Sequence, residues 1–202
     1  TFESKLAVSV ADSYYFDTDA KHIIDKCRVW SHKNNRILAK SLNSNPKIIC
    51  PVRGILEILT SWITLLESSD KLNFVDRGLQ FMGKEINNDN RCDWLMKDDG
   101  LLKLSYESLK TSYKDPEVML VEYDDLIDKP VNTMYNVYNF LGIPPHKHDF
   151  NNIVNEYLPH DSMLGLENLH VVKKSISKTS KDPKDVLSEY VIEKYSNMEF
   201  WR

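Results

Sequence analysis

Three short apolar runs along the chain predict β-strands. They cover residues 22–26, 47–52 and 118–123. The second and third runs are almost wholly apolar, which is typical of strands that are buried on both faces of a parallel sheet. Pro51 has no backbone N–H to donate, so we expect the second strand to end there or to lie near a sheet edge.

Longer segments with apolar residues three or four positions apart alternate with these runs and predict helices. The clearest places Val131, Met134, Tyr138 and Leu141 on one face, and Gly142 is its expected C-terminal stop. Strands that alternate with helices predict an α/β domain with a mostly parallel sheet. The other predicted helices cover residues 35–42, 55–66 and 101–113, with a last one of about a dozen residues opening at Asp182-Pro183.

The 202 residues suit a single domain spanning residues 1–202. Residues 68–93 are polar and rich in Asn, Asp and Gly, and they predict a long surface insertion with a partly helical centre. Residues 171–202 predict a basic loop followed by a C-terminal helix. No signal peptide is visible. The chain begins without Met, so we expect a domain that is incomplete at its N-terminus.

Composition narrows the classes of function. With 30 acidic and 26 basic residues the net charge is −4, which argues against a general nucleic-acid binder. No apolar run approaches the roughly 20 residues that span a bilayer, so we expect no membrane span. Three widely spaced cysteines and six histidines without ligand spacing predict neither a disulfide framework nor a metal site, and a reducing cytoplasm fits best.

Ligands of parallel sheets bind beyond the carboxyl ends of the strands, where Lys26, Arg53 and Tyr123 each close a predicted strand. Arg53 offers a rigid fork of donors suited to phosphate, and Ser61 in the following helix adds a hydroxyl. The two could close on one phosphate or sulfate group. Alternatively, Arg53 pairs with a nearby carboxylate and Ser61 bonds its own helix backbone, and the spacing alone favours this alternative.

Two further basic features are candidates for a role in chemistry. Lys26 either neutralises negative charge that develops on a leaving group or is a solvated lysine paired with Asp25. Residues 173–181 interleave four lysines with four hydroxyl residues. This segment is either a local anion trap within an acidic protein or a solvated linker before the last helix.

Taken in order along the chain, these segments resemble the sulfotransferase family. Within that family they are most similar to the bacterial, viral and protein-tyrosine members. Residues 23–27 resemble the strand that delivers a lysine. Residues 47–53, with Ser61 eight positions after Arg53, resemble the strand, arginine and serine that bind the 3′-phosphate of the sulfate donor. Residues 118–144 resemble the family's structural signature, a strand ending in Tyr-Asp-Asp-Leu and then a helix ending in Phe-Leu-Gly.

The resemblance implies a P-loop-NTPase-like three-layer sandwich. It also implies transfer of a sulfuryl group from 3′-phosphoadenosine 5′-phosphosulfate to a hydroxyl or amine, without a metal. The resemblance does not decide whether the acceptor is a carbohydrate, a peptide or a small molecule. It also does not decide whether the protein is a homodimer. In this scheme Lys26 is the catalytic residue, and Arg53 and Ser61 bind the 3′-phosphate. A loop late in the chain closes over the nucleotide, and its candidate binding residues are Lys173, Lys174, Ser175 and Lys178.

Two departures from the family pattern leave alternatives open. Gly54-Ile55 follows Arg53 where most members have Asn or Asp and then Pro, and no Pro-Arg/Lys-Ser-Gly type phosphosulfate loop is present. We expect that loop to precede Thr1. A catalytically degenerate sulfotransferase-like binding or scaffold protein is one alternative. A P-loop nucleotide kinase is a weaker one, since it requires a Gly-rich loop with Lys-Ser/Thr.

Overall fold

The computed structural model describes residues 2–154, 161–166, 169–178 and 181–202. In these ranges, helices surround a small parallel sheet, and short 3₁₀ turns lie at Asp161–Leu164 and Pro183–Asp185. The elements follow in the order α1 (Phe2–Tyr14), α2 (Lys33–Leu42), β1 (Ile48–Val52), α3 (Ile55–Glu67), α4 (Phe74–Phe81), α5 (Asn88–Leu95), α6 (Leu101–Lys110), β2 (Val118–Glu122), α7 (Tyr123–Asp128), α8 (Pro130–Leu141) and α9 (Glu189–Tyr195).

The sheet of the described residues consists of β1 and β2, which run parallel with Ile48 opposite Val118 and Val52 opposite Glu122. The two nearly all-apolar strands of the sequence are therefore confirmed. Among the described residues β1 pairs with β2 alone, so Pro51 lies at an edge of this sheet, as expected. The mixed α/β class is confirmed. The two-stranded sheet of the described residues does not confirm the three-layer sandwich that the resemblance implies.

The predicted strand at residues 22–26 is wrong. Residues 23–27 have no regular structure, and Ile23 and Ile24 are 49% and 82% exposed. Two isoleucines among charged and polar neighbours bury too little apolar surface to hold a strand in place, and no described strand lies beside them to complete a ladder. Lys26 therefore does not close a strand.

The main core forms on one face of α3. Ile55, Leu59, Ile63 and Leu66 recur at helical spacing and are at most 5% exposed. A second cluster lies on the sheet, and Trp201 packs against both, so the C-terminal segment joins the two cores. The buried members of the main cluster outside α3 are Val75, Leu79, Cys92, Leu95, Met96, Leu166, Leu187, Val191 and Tyr195.

Residues 68–93 are not confined to the surface, so that part of the prediction is wrong. They form α4 and most of α5, and Val75, Leu79 and Cys92 are fully buried. The polar residues that suggested an insertion are in part helix caps. The side chains of Asn73 and Asn87 accept hydrogen bonds from backbone N–H groups in the first turns of α4 and α5.

The predicted last helix is also shorter than expected. A 3₁₀ turn at Pro183–Asp185 is followed by α9, because the Ser188 hydroxyl caps a new helix by accepting from the Val191 N–H. The expected stop of α8 is confirmed, with Gly142 in the left-handed region at φ 70°. Helix α1 was not predicted from the sequence.

Candidate functional site

Arg53 lies at the carboxyl end of β1, one residue before the Gly54 N-cap of α3. A Cβ on Gly54 would meet Oε1 of Glu199 at 2.8 Å, so the C-terminal segment packs directly on this turn. Tyr123 begins α7 at the matching end of β2. Parallel strands thus bring Arg53 and Tyr123 to the same edge of the sheet, as expected.

Two contacts fix the Arg53 guanidinium. Its central carbon lies 4.2 Å from the centre of the Tyr123 ring, and Nε donates to Oε2 of Glu57 at 3.2 Å. Nη2 is buried and has no hydrogen-bond partner among the described residues. The carboxylate pairing of the alternative interpretation is therefore present, yet it leaves one buried donor of Arg53 unsatisfied.

Ser61 is exposed and follows Glu57 by one turn on the same face of α3. No hydrogen bond of its hydroxyl is made within the described residues. The backbone bond that the alternative interpretation gave to Ser61 belongs to its neighbour, since the buried Thr60 hydroxyl donates to the Leu56 carbonyl at 2.8 Å. Ser61 therefore lies on the helix face that begins beside Arg53, with its hydroxyl available to a ligand.

The basic loop reaches the same edge of the sheet through Lys178. Its Nζ donates to Oδ1 of Asp124 at 3.2 Å, and this hydrogen bond raises the pKa of Lys178 above its ordinary value, with Glu57 adding to the effect. Backbone bonds from Ile153 to Lys174 and from Ile176 to Phe150 hold the loop at its other side. Lys173, Lys174 and Ser175 are exposed, and Thr179 and Ser180 lie outside the described residues.

Sequence reasoning missed Arg202, which lies at this edge as well. Its Nη2 donates to Oε2 of Glu122 at 3.2 Å and lies 4.0 Å from Oδ2 of Asp124, and Nη1 pairs with Glu199. The hydrogen bond with Glu122 raises the pKa of Arg202. No local signal marks Arg202, because its position depends on how the C-terminal segment packs against the sheet.

Lys26, by contrast, is exposed and makes no hydrogen bond or ion pair within the part of the chain that the structure describes. The pairing with Asp25 that the alternative interpretation gave to Lys26 is not made among the described residues either, and the Asp25 carboxylate instead accepts a hydrogen bond from the Trp30 indole. The structure therefore brings Arg53, Tyr123 and Lys178 together and leaves Lys26 outside their contacts.

The charges at this edge nearly balance. Each of the three cations that the described residues place there has a carboxylate partner, so an incoming anion must share or displace that partner. The Arg53 guanidinium is paired through Nε, and its buried Nη2 still has no partner among the described residues. The cations are Arg53, Lys178 and Arg202, and the carboxylates are Glu57, Glu122, Asp124 and Glu199.

No group of three or more His, Cys, Asp or Glu residues in the described ranges could hold a metal ion. Among the helices of these ranges, none has the length and apolar character needed to cross a bilayer.

The arrangement defines an α/β protein with a candidate anion site beyond the carboxyl ends of parallel strands. The sulfotransferase domain model matches residues 16–196, and the chain belongs to the sulfotransferase family. No curated protein matches the chain.

Proposed function

We propose that this chain transfers a sulfuryl group from 3′-phosphoadenosine 5′-phosphosulfate to a hydroxyl or amine acceptor. Membership of the sulfotransferase family supports sulfuryl transfer as the class of reaction. The observation that carries the choice of donor is Nη2 of Arg53, which is buried at the carboxyl edge of the sheet and has no hydrogen-bond partner in the part of the chain that the structure describes. A buried donor without an acceptor costs about 1–3 kcal/mol, and a phosphate oxygen would satisfy it.

The residues around Arg53 fit a 3′-phosphate group. Glu57 and Tyr123 hold the guanidinium from Nε and from one face, and neither contact uses the buried Nη2. Helix α3 begins beside Arg53 and adds the positive end of its dipole. Ser61 supplies a hydroxyl on the face that Glu57 shares.

The donor, when bound, supplies the sulfuryl group and a phosphate leaving group. Arg53 and Ser61 bind the 3′-phosphate, and they discriminate against nucleotides without it because Nη2 of Arg53 then stays unpaired. Lys178 shares its charge between Asp124 and the nucleotide, while Lys173, Lys174 and Ser175 approach from the exposed loop. Lys26 offsets the negative charge that develops on the leaving phosphate. Stabilisation of such charge, together with positioning of the reactants, supplies most of the catalysis of such transfers.

The setting that we propose is the cytoplasm. Cys27, Cys50 and Cys92 are all free thiols, which suits a reducing compartment.

Thermal unfolding with adenosine 3′,5′-bisphosphate tests the donor site. At 100 times its Kd the ligand should stabilise the protein by about 2.7 kcal/mol, which raises Tm by about 5–11 °C for a chain of this length. Arg53→Ala removes at least one charge-assisted hydrogen bond, worth about 1.5–3 kcal/mol, so Kd should rise about 10- to 140-fold. Adenosine 5′-monophosphate should shift Tm much less.

Arg77→Ala is the matched control, because Arg77 is an exposed arginine on α4 whose guanidinium contacts the Met163 carbonyl. It should leave the ligand-induced shift unchanged. An equal loss of affinity for the bisphosphate in Arg53→Ala and Arg77→Ala would contradict the proposal that Arg53 binds the 3′-phosphate. Binding of the bisphosphate without sulfation of any acceptor would support the degenerate binding protein instead.

A further inference from the structure

The Asp124 carboxylate contacts two cations that come from distant parts of the chain. Lys178 of the basic loop donates from Nζ to Oδ1 at 3.2 Å, and Nη2 of Arg202 lies 4.0 Å from Oδ2. Within the described ranges, Asp124 is the one residue that forms an ion pair with both cations. The two cations therefore lie on either oxygen of a single carboxylate at the carboxyl edge of the sheet.

Both cations keep hydrogen-bond donors that the described residues do not use. An ammonium group has three N–H donors, and a guanidinium group has five. Among the described residues, Lys178 uses one of them, on Asp124. Arg202 uses two in the same ranges, on Glu122 and Glu199, and its contact with Asp124 at 4.0 Å is too long for a hydrogen bond. An oxyanion between the two cations could therefore gain hydrogen bonds from both.

The contacts of Asp124 are open to solvent, so a ligand can compete with them. The side chains of Asp124, Lys178 and Arg202 are 43%, 55% and 42% exposed, respectively. Ion pairs between exposed side chains are weak and are screened by salt. A phosphate group carries up to about two negative charges and three acceptor oxygens, so it attracts both cations more strongly than one carboxylate does.

This cluster adjoins the guanidinium of Arg53. Tyr123, whose ring lies 4.2 Å from that guanidinium, directly precedes Asp124 at the start of α7. The hydrogen bond with Asp124 raises the pKa of Lys178 most, and the carboxylate of Glu57, which also pairs with Arg53, adds to the effect. A nucleotide that binds Arg53 is therefore close to Lys178 as well.

We infer that Lys178 and Arg202 together bind an oxyanion of the sulfate donor, and that the Asp124 carboxylate competes with the donor for these two cations. The inference rests on the proposed function and adds Arg202 to the donor site. Asp124 lowers the affinity for the donor in two ways. Its charge occupies the cations in the free protein, and it repels the bound oxyanion in the complex.

Asp124→Asn tests the inference, because it keeps an oxygen acceptor for Lys178 and removes the negative charge. The Kd for adenosine 3′,5′-bisphosphate, measured by titration calorimetry, should fall about 2- to 5-fold, the range expected for an exposed charge. Asp128→Asn is the matched control, because Asp128 is an exposed carboxylate at the far end of α7 that forms no ion pair among the described residues. It should change the Kd less than Asp124→Asn does.

A mutant cycle tests whether both cations take part. Lys178→Met and Arg202→Met should each raise the Kd for the bisphosphate about 2- to 5-fold. In the variant that carries both of these substitutions, the gain in affinity from Asp124→Asn should shrink, because the carboxylate then has neither cation to occupy. A gain of undiminished size would contradict the competition.

The sign of the change in Asp124→Asn decides the role of Asp124. A higher Kd means that Asp124 positions Lys178 for the donor, and either a higher or an unchanged Kd overturns the inference. The proposed function still stands in both cases if Arg53→Ala weakens binding of the bisphosphate. If Asp124→Asn lowers the Kd and Arg53→Ala leaves it unchanged, the inference stands and the 3′-phosphate site at Arg53 is wrong. No binding in any variant contradicts both.

Discussion

The ion pair between Arg91 and Asp76 gives a sharp test of the core, because it lies in the segment that the sequence placed on the surface. Nε and Nη2 of Arg91 donate to the two oxygens of Asp76, each at 2.8 Å. The side chains are 13% and 8% exposed, respectively. Asn73 donates a further hydrogen bond to Asp76 at 2.8 Å.

Arg91→Met keeps the volume of the side chain and leaves the Asp76 carboxylate buried with Asn73 as its remaining side-chain donor. Breaking a buried pair in this way costs about 3–5 kcal/mol. For a chain of this length that corresponds to a fall in Tm of about 6–20 °C. Asp76→Leu combined with Arg91→Met removes both charges, so it should recover most of the loss.

Urea unfolding followed by circular dichroism measures these free energies. Lys103→Met is the control, because Lys103 pairs with Glu107 at a half-exposed site where such pairs contribute about 0–1 kcal/mol. If Arg91→Met costs no more than Lys103→Met, the pair is solvated and α4 and α5 are not packed as described.

Three further predictions concern the α5–α9 contact, the candidate site and Lys26. Burial works to raise the pKa of Asp93, but hydrogen bonds from Lys194, Tyr195 and Tyr190 outweigh it and hold the pKa below its ordinary value. The ionised Asp93 carboxylate therefore contributes stability that is present above about pH 4 and is lost as the pH falls further. The urea midpoint of the wild type should decrease below about pH 4, and that of Asp93→Asn should depend less on pH. Tyr123→Leu removes the ring beneath Arg53, and the cation–π contact that is lost contributes about 0.5–2 kcal/mol. The Kd for adenosine 3′,5′-bisphosphate, measured by titration calorimetry, should therefore rise about 2- to 30-fold. An unchanged Kd would contradict the stacking role. Lys26→Ala should lower turnover of a sulfate acceptor far more than nucleotide affinity, and equal losses in both would exclude a leaving-group role.

The elements that could be predicted are those in which a local pattern decides the structure. The apolar runs at 47–52 and 118–123 leave few options besides buried strands, and Gly142 ends α8 at a positive φ that glycine adopts readily. The meeting of Arg53 with Tyr123 follows from the rule that parallel strands share a carboxyl edge.

The remainder depends on contacts that are distant in sequence. Polar caps such as Asn73 look like loop residues until the helix that they begin is seen. Glu57 could have been found from its position four residues after Arg53. The placement of Arg202 and Glu199 could not, because only the tertiary packing of the C-terminal segment brings them to the sheet.

The pairing of β1 with β2 has a consequence for the order in which the chain folds. Residues 53–117 lie between the two strands, and the ladder forms only after that long loop has closed. Helices α3 to α6, which form from nearby residues, can fold first, so contacts of high sequence separation such as the one between Arg53 and Tyr123 form late. Until then the apolar β1 segment is exposed to other nascent chains, and Pro51 within it acts as a built-in protection against aggregation.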